Sequence, residues 1–128
     1  MKAIDTCVLA RAIVGDDAIQ TPLAVRRLAD GAFVPLTVVL ELVWLLRSRF
    51  RYSRIQATDV LSDLCEHPGL VIAEEARMPW LIERLRAGAD MPDLVHLIAS
   101  FGCEAFVTFD DMTHEVEPNA PVPVELLA

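Results

Sequence analysis

A chain of 128 residues has the usual length of one domain, and we expect a single domain over residues 1–128. The hydrophobic fraction of 54% excludes a disordered chain, and the formal net charge of −8 argues against coating nucleic acid by bulk electrostatics. The longest apolar stretch, residues 32–46, is too short to cross a bilayer, and residues 1–5 lack the apolar region of a signal peptide. We therefore expect a cytoplasmic protein that does not enter a membrane.

The three cysteines are odd in number and match neither a metal-binding spacing nor a disulfide framework. That usage agrees with a reducing compartment. We expect Cys7, Cys65 and Cys103 to be small, buried, apolar side chains.

Short β-branched runs and apolar residues at helical spacing predict strands that alternate with helices. Thr37 and Ser53 are placed to cap two of these helices, and Asp16 or Asp17 a third. In chain order we predict a strand at 3–4, a helix from 16 or 17 to about 27–30, a strand at 33–35, a helix from 37 to 46, a helix at 53–66, a strand at 70–72, helices at 77–87 and 92–101, a strand at 105–109 and a weak edge strand at 122–124.

This alternation predicts an α/β fold, in which a parallel sheet carries helices on both faces. Ligands in open α/β sheets bind outside the carboxyl ends of the strands. Asp5 follows the first predicted strand, and Asp110 follows the strand at 105–109. We therefore expect both carboxylates at the same edge of the sheet.

Two further acids lie on predicted helices that are otherwise almost wholly apolar. Glu41 is the only charged residue between positions 38 and 46, and Asp93 opens the helix at 92–101. An unpaired buried carboxylate is costly, so Glu41 lies either on a narrow exposed stripe or buried with a partner. Asp93 has a simpler alternative, since an acid in the first turn complements the helix dipole, and Asp90 is placed to cap that helix.

Carboxylates brought together raise one another's pKa values unless a cation neutralises them. Oxygen ligands without a set of His or Cys residues select Mg²⁺ or Mn²⁺. One ion, or two ions about 3.5–4 Å apart, can neutralise charge on a scissile phosphate. The four acids therefore predict a metal site for phosphodiester hydrolysis.

Four segments together resemble PIN-domain ribonucleases, and in particular the VapC-type toxins of toxin–antitoxin pairs. The chain opening, MKAIDT followed by Val8 and Leu9, is similar to the start of PIN domains, and LELVWLL at 40–46 resembles their central helix. GADMPDLVH at 88–96 resembles the segment with their third acid, and TFD at 108–110 the segment with their fourth. The ordered set, over about residues 1–115, carries the resemblance.

The resemblance implies a PIN-like three-layer α/β fold whose central, mostly parallel sheet has four to five short strands. It implies an Mg²⁺- or Mn²⁺-dependent endoribonuclease, the toxin of a type II pair, acting on RNA, often homodimeric and inhibited by a cognate antitoxin. Metal-site and catalytic roles carry over to the four acids. These are Asp5, Glu41, Asp93 and Asp110. Thr6 and Asp90 become candidate helpers.

The chain departs from the family pattern at three places. Cys7 stands where an Asn is common, and a thiol is a weaker hydrogen-bonding partner. Met91 and Pro92 replace a more usual Phe-Ala, and Pro92 is expected to alter the entry into its helix. Asp111 occupies a position that is often basic, and a register error of one residue would exchange it with Asp110 as the fourth acid.

Other side chains have two interpretations each. His96, three residues after Asp93, is a candidate helper or a packed histidine. Trp44 and Trp80 are expected in the core or an interface. Ten of the eleven basic residues are Arg, and four of them lie within eight positions, interleaved with Phe50 and Tyr52. These candidate RNA contacts, or else an ordinary solvated helix end, are Arg47, Arg49, Arg51 and Arg54.

Two other classes of function stay open at this point. A non-catalytic PIN-like module would bind RNA or a protein without cutting. A receiver-like phosphoacceptor also places acids at strand ends around Mg²⁺, but no Lys follows the late strand, and Lys2 is the only Lys of the chain. The sequence therefore argues against the receiver and leaves the binding module as the alternative.

Overall fold

The computed structural model describes residues 1–128 as a mixed α/β chain with seven α-helices and two short parallel sheets of two strands each. The contacts divide the chain into two compact units, Met1–Glu75 and Ala76–Ala128. The helices are α1 (Thr6–Val14), α2 (Gln20–Ala29), α3 (Leu36–Ser48), α4 (Arg54–Glu66), α5 (Met78–Arg86), α6 (Met91–Ala99) and α7 (Thr113–Val116). The strands are β1 (Ala32–Val34), β2 (Leu70–Ile72), β3 (Phe106–Thr108) and β4 (Val124–Leu126).

The first unit contains a parallel pair, β1 and β2, in which Phe33 lies opposite Val71. On the other side of β1, Ala3 forms a single parallel bridge with Phe33. The backbone N–H of Ile4 donates to the Phe33 carbonyl at 3.0 Å, and the Phe33 N–H donates to the Lys2 carbonyl at 2.8 Å. The predicted strand at residues 3–4 is thus present as one bridge, and it leads directly into Asp5.

Helix α1 is not among the helices predicted from the sequence. It begins after Asp5, whose side chain accepts a hydrogen bond from the Thr6 N–H. It ends at Gly15, which has φ +70. Glycine adopts that left-handed conformation without steric cost, so the chain turns sharply there.

The starts of the next helices differ in part from the prediction. Helix α2 begins at Gln20, and Asp17 Oδ1 accepts from the Gln20 N–H at 2.7 Å. Helix α3 begins after Pro35, so Thr37 lies inside it and is not its cap. The cap of α4 is confirmed: the side chains of Ser53 and Gln56 satisfy each other's backbone N–H groups in a capping box.

The core of the first unit is aliphatic. Its most deeply buried members include Leu9, Leu28, Val34, Val39, Leu42, Leu46, Leu61 and Ile72. Gly69, just before β2, passes so close to α2 that a Cβ there would collide with the Leu28 carbonyl oxygen. Only glycine fits at this approach, which fixes where β2 enters the sheet.

The second unit contains α5, α6, α7 and the parallel pair β3 and β4. Its buried side chains include Met78, Leu81, Leu85, Leu94, Leu97, Ile98 and Val116. The edge strand predicted at 122–124 lies two residues further along, at β4. Pro123 has no N–H to give to a sheet, but its carbonyl accepts from the Phe106 N–H at 2.8 Å and starts the pairing.

The α/β class and the parallel strand pairing are therefore confirmed, whereas the described pairings do not form a sheet of four or five strands. No helix has the length and apolarity needed to cross a membrane. The expected burial of the cysteines is wrong, since Cys7 and Cys103 are exposed and Cys65 is half-buried. Trp44 is 65% exposed, whereas Trp80 is half-buried and its indole N–H donates to the Val116 carbonyl at 3.0 Å.

Candidate functional site

Two of the four predicted acids meet around one residue, Thr6. The Thr6 backbone N–H donates to Asp5 Oδ1 at 2.7 Å. Its hydroxyl donates to Glu41 Oε1, across 35 positions of sequence. Thr6 itself is only 3% exposed, whereas Asp5 and Glu41 are exposed to solvent. Thr6 therefore brings two solvent-accessible carboxylates together, Asp5 through its backbone N–H and Glu41 through its hydroxyl.

The local sequence explains this arrangement. Ile4 pairs with β1 and is buried, so the chain leaves the sheet at Asp5 in an extended conformation and starts α1 at Thr6. Glu41 lies in the middle of α3, where its neighbours Leu42 and Val43 are buried in the core. Glu41 thus takes the first of its two predicted placements, the exposed one, and it also has Thr6 as a hydrogen-bonding partner.

Cys7 is close to the same carboxylates. Its thiol lies 3.7 Å from Asp5 Oδ2, within the range for a weak hydrogen bond to sulfur. The exposed thiol therefore takes the position of a polar neighbour to the first acid, in place of the amide that the family resemblance would put there.

The second unit places Asp93 in the first turn of α6, where it is half-buried. Burial raises the pKa of Asp93, and the negative charges of Asp90, Glu115 and Asp110 raise this pKa further, while His96 opposes the shift. Loss of hydration and nearby like charges both disfavour a carboxylate. Asp93 therefore lies among acidic side chains that disfavour its own ionised form.

Asp90 occupies the N-cap position of α6, as its spacing predicts, but its side chain makes no capping hydrogen bond. Its carboxylate is exposed and contributes to the field at Asp93. Pro92 lies in the first turn of α6, where backbone N–H groups have no partner within the helix. Pro92 is thus accommodated at the helix start without the loss of a helical hydrogen bond.

Asp110 follows β3, and its N–H donates to Thr108 Oγ1 at 3.0 Å. Its charge acts on Asp93, whereas Asp111 is not among the groups that shift the pKa of Asp93. Glu115, in α7, also belongs to this cluster, although it is not among the acids predicted from the sequence. A four-residue helix has too little periodicity to be recognised, so no signal in the sequence marks Glu115.

His96 lies on α6 with its ring stacked on Phe106 of β3, at a centroid distance of 6.0 Å and an interplanar angle of 17°. Its side chain is exposed. His96 therefore has a packing partner and also lies near enough to Asp93 to act on its pKa. The two interpretations of His96 are compatible.

The arginine-rich segment forms the turn between α3 and α4. Arg47 is in the last turn of α3, Arg49 caps it, and Arg51 has φ +58. These three side chains are exposed, whereas Arg54 opens α4 and is half-buried. The segment therefore presents three guanidinium groups to solvent at the carboxyl end of the helix that carries Glu41.

The structure thus describes the predicted acids as two pairs, each within its own unit. Asp5 and Glu41 meet through Thr6, and Asp93 and Asp110 interact electrostatically. In neither unit do three or more His, Cys, Asp or Glu side chains form a group that could hold a metal ion. Comparison of the chain with protein-family models, with curated proteins and with solved structures gives no match.

Proposed function

We propose that the chain is a PIN-like, Mg²⁺- or Mn²⁺-dependent endoribonuclease that acts as the toxin of a type II toxin–antitoxin pair. The observation that supports this proposal most is the contact of Thr6 with both Asp5 and Glu41. These two acids were selected from the sequence for different reasons, one at a strand end and one on an apolar helix. Their meeting at the buried Thr6 is the arrangement expected of a prepared acidic site.

The chemistry of the available donors fits the proposed ion. The acids of both units offer only carboxylate oxygens, which suit Mg²⁺ and Mn²⁺ better than softer metals. The raised pKa of Asp93 indicates that its charged form lacks compensation, and a cation would supply it. The proposed ligands are Asp5, Glu41, Asp93 and Asp110.

The protein's own groups have distinct roles in this proposal. Thr6 orients Glu41, and Asp5 is held by the first N–H of α1. Asp93 and Asp110 contribute negative charge that would attract the cation, and the cation would in turn offset the repulsion between these carboxylates and a phosphate. When bound, Mg²⁺ or Mn²⁺ supplies positive charge that stabilises the developing charge on the phosphate.

The alternative is a non-catalytic PIN-like module that binds RNA or a protein. The observation in its favour is that neither unit groups three potential metal ligands. In that case the arginines of the α3–α4 turn would bind phosphates, and the acids would serve only local structure. The two functions share a fold and differ in whether phosphodiester bonds are cut.

The proposed partners are RNA, a second copy of the chain and a cognate antitoxin. The first unit has apolar surface for protein contacts, because Ile19, Leu23 and Val25 of the α2 region are exposed. A cavity of about 260 Å³ beside α1 and α2 is lined in part by Leu23 and Ala24. Aromatic and apolar side chains are favoured at the centres of interfaces.

Cleavage of single-stranded and structured RNAs with Mg²⁺, with Mn²⁺ and with EDTA tests the proposal. Cleavage that requires a divalent ion and is lost in Glu41→Gln supports it. RNA binding without cleavage under any of these conditions would favour the binding module.

A further inference from the structure

A second cavity in the first unit has a different character from the apolar one. It has a volume of about 350 Å³ and is lined by Cys7, Arg11, Asp16, Arg49 and Phe50, among others. Cys7 also contacts the Asp5 carboxylate through its thiol at 3.7 Å. The cavity therefore adjoins one of the proposed catalytic acids.

Two of the lining side chains are fixed by hydrogen bonds. Arg11 Nη1 lies 3.3 Å from Asp16 Oδ1, and Arg11 Nε donates to Gln20 Oε1 at 2.8 Å. Arg11 thus holds the Asp16 carboxylate in place and offsets its charge. The second carboxylate oxygen of Asp16 can still accept a hydrogen bond.

Arg49 and Phe50 provide the opposite kind of contact. Arg49 caps the end of α3, is exposed, and makes no ion pair or side-chain hydrogen bond within the protein. Phe50 follows it and is half-buried, so part of its ring is accessible. A flat apolar ring beside an exposed cation suits a ligand that is planar at one end and anionic at the other.

A nucleotide has these properties. Its base stacks on aromatic rings, its phosphate binds guanidinium groups, and its exocyclic amino group donates to carboxylates. We propose that this cavity is a subsite for one unpaired nucleotide of the RNA strand. This nucleotide would lie next to the phosphate that binds at Asp5. The base stacks on Phe50, the phosphate contacts Arg49, and Asp16 favours bases that carry an amino group over uracil.

This inference rests on the proposed function for the identity of the strand but is tested by binding alone. Fluorescence polarisation of labelled single-stranded oligoribonucleotides, measured in EDTA so that no cleavage occurs, gives the dissociation constants. Phe50→Leu and Arg49→Gln should each weaken binding about tenfold. Arg26→Gln on exposed α2 removes the same charge outside the cavity and should change binding by less than about twofold.

The oligonucleotide composition supplies a second readout. Strands of A or C should bind more tightly than strands of U, and this preference should disappear in Asp16→Asn Arg11→Gln, which removes the ion pair and the carboxylate together. Free adenosine monophosphate that competes as well as the strand would instead identify a small-molecule nucleotide site. Equal weakening by Arg49→Gln and Arg26→Gln, or unchanged binding in Phe50→Leu of native thermal stability, would overturn the subsite.

Cleavage of the same strands with Mn²⁺, followed in parallel, separates the two proposals. Binding that depends on Phe50 and Arg49 without cleavage by the wild-type protein would overturn the nuclease and keep the subsite. Cleavage that is unaffected by both substitutions would keep the nuclease and overturn the subsite. Should Phe50→Leu fail to fold, the binding and cleavage measured for Arg49→Gln, at an exposed position, still decide between these outcomes.

Discussion

The Thr6 hydroxyl donates a hydrogen bond to Glu41 Oε1, and it is the side-chain link between α1 and α3 at the predicted acids. Thr6 is buried, so its hydroxyl has little access to water as a substitute partner. Loss of this donor would free the Glu41 side chain to move. The contact therefore ties the packing of two helices to the position of one carboxylate.

Thr6→Val tests that relationship, since it removes the hydroxyl and keeps the shape of the side chain. We expect a loss of about 1 kcal/mol in the free energy of unfolding. We also expect a loss of metal-dependent RNA cleavage under conditions in which the variant remains folded. Thr58→Val is the matched control, because Thr58 is equally buried and its hydroxyl donates only to the Ile55 carbonyl of its own helix, at 2.7 Å. A loss of cleavage in Thr58→Val as large as in Thr6→Val would contradict a specific role for Thr6.

Asp93 gives a prediction about pH. Burial first, and then neighbouring acids, raise the pKa of Asp93 in the folded protein. The folded state therefore favours protonated Asp93, and that contribution to stability is present below the ordinary pKa of the carboxyl and lost as pH rises through the raised pKa. Asp93→Asn should become more stable relative to wild type as pH rises over this window.

Urea unfolding of the two proteins at a series of pH values, in EDTA, measures this difference. Asp63→Asn on the exposed face of α4 controls for the loss of one negative charge. If the advantage of Asp93→Asn shrinks as pH rises, then the ionised carboxylate is stabilised in the folded protein and the description of the cluster is wrong.

A divalent ion should stabilise the fold if the acids bind it. A ligand at a hundredfold excess over its dissociation constant adds roughly 2.7 kcal/mol to the free energy of unfolding. Thermal melts in millimolar Mn²⁺ should therefore lie above melts in EDTA, and the gain should be smaller in Glu41→Gln. Identical melting temperatures in Mn²⁺ and EDTA would count against a metal site.

The exposed apolar side chains of the first unit lead us to expect a homodimer in solution. Light scattering at micromolar concentration should give twice the mass of the chain. Trp44→Lys, at a position 65% exposed, leaves the core untouched and tests whether this indole lies in the interface. A monomeric mass for the wild-type protein would remove the dimer.

Local signals in the sequence predict much of this fold correctly. Ser53 and Gln56 carry the information for a helix start within four residues, and the run at β2 is apolar and β-branched. Helix α7 is not predicted, because it is a single turn. Periodicity can identify an element only when one face differs from the other over several turns.

For the candidate site too, the sequence predicts some features and only the fold reveals the others. The apolar surroundings of Glu41 mark it as unusual, but only the packing of α1 against α3 identifies Thr6 as its partner. The effect of Glu115 on Asp93 also depends on tertiary structure, because the two residues are distant in sequence. A sequence shows which carboxylates lack a simple structural role, and the fold shows what they meet.

The most direct test of the central proposal compares RNA cleavage by the wild-type protein, Asp93→Asn and Asp111→Asn, with Mg²⁺ or Mn²⁺. The two substitutions each remove one carboxylate charge, but only Asp93 is assigned to the metal site. We expect Asp93→Asn to lose cleavage by about two orders of magnitude or more and Asp111→Asn to retain most of it. Full cleavage by Asp93→Asn, or no cleavage by the wild-type protein with either ion, would contradict the proposed ribonuclease.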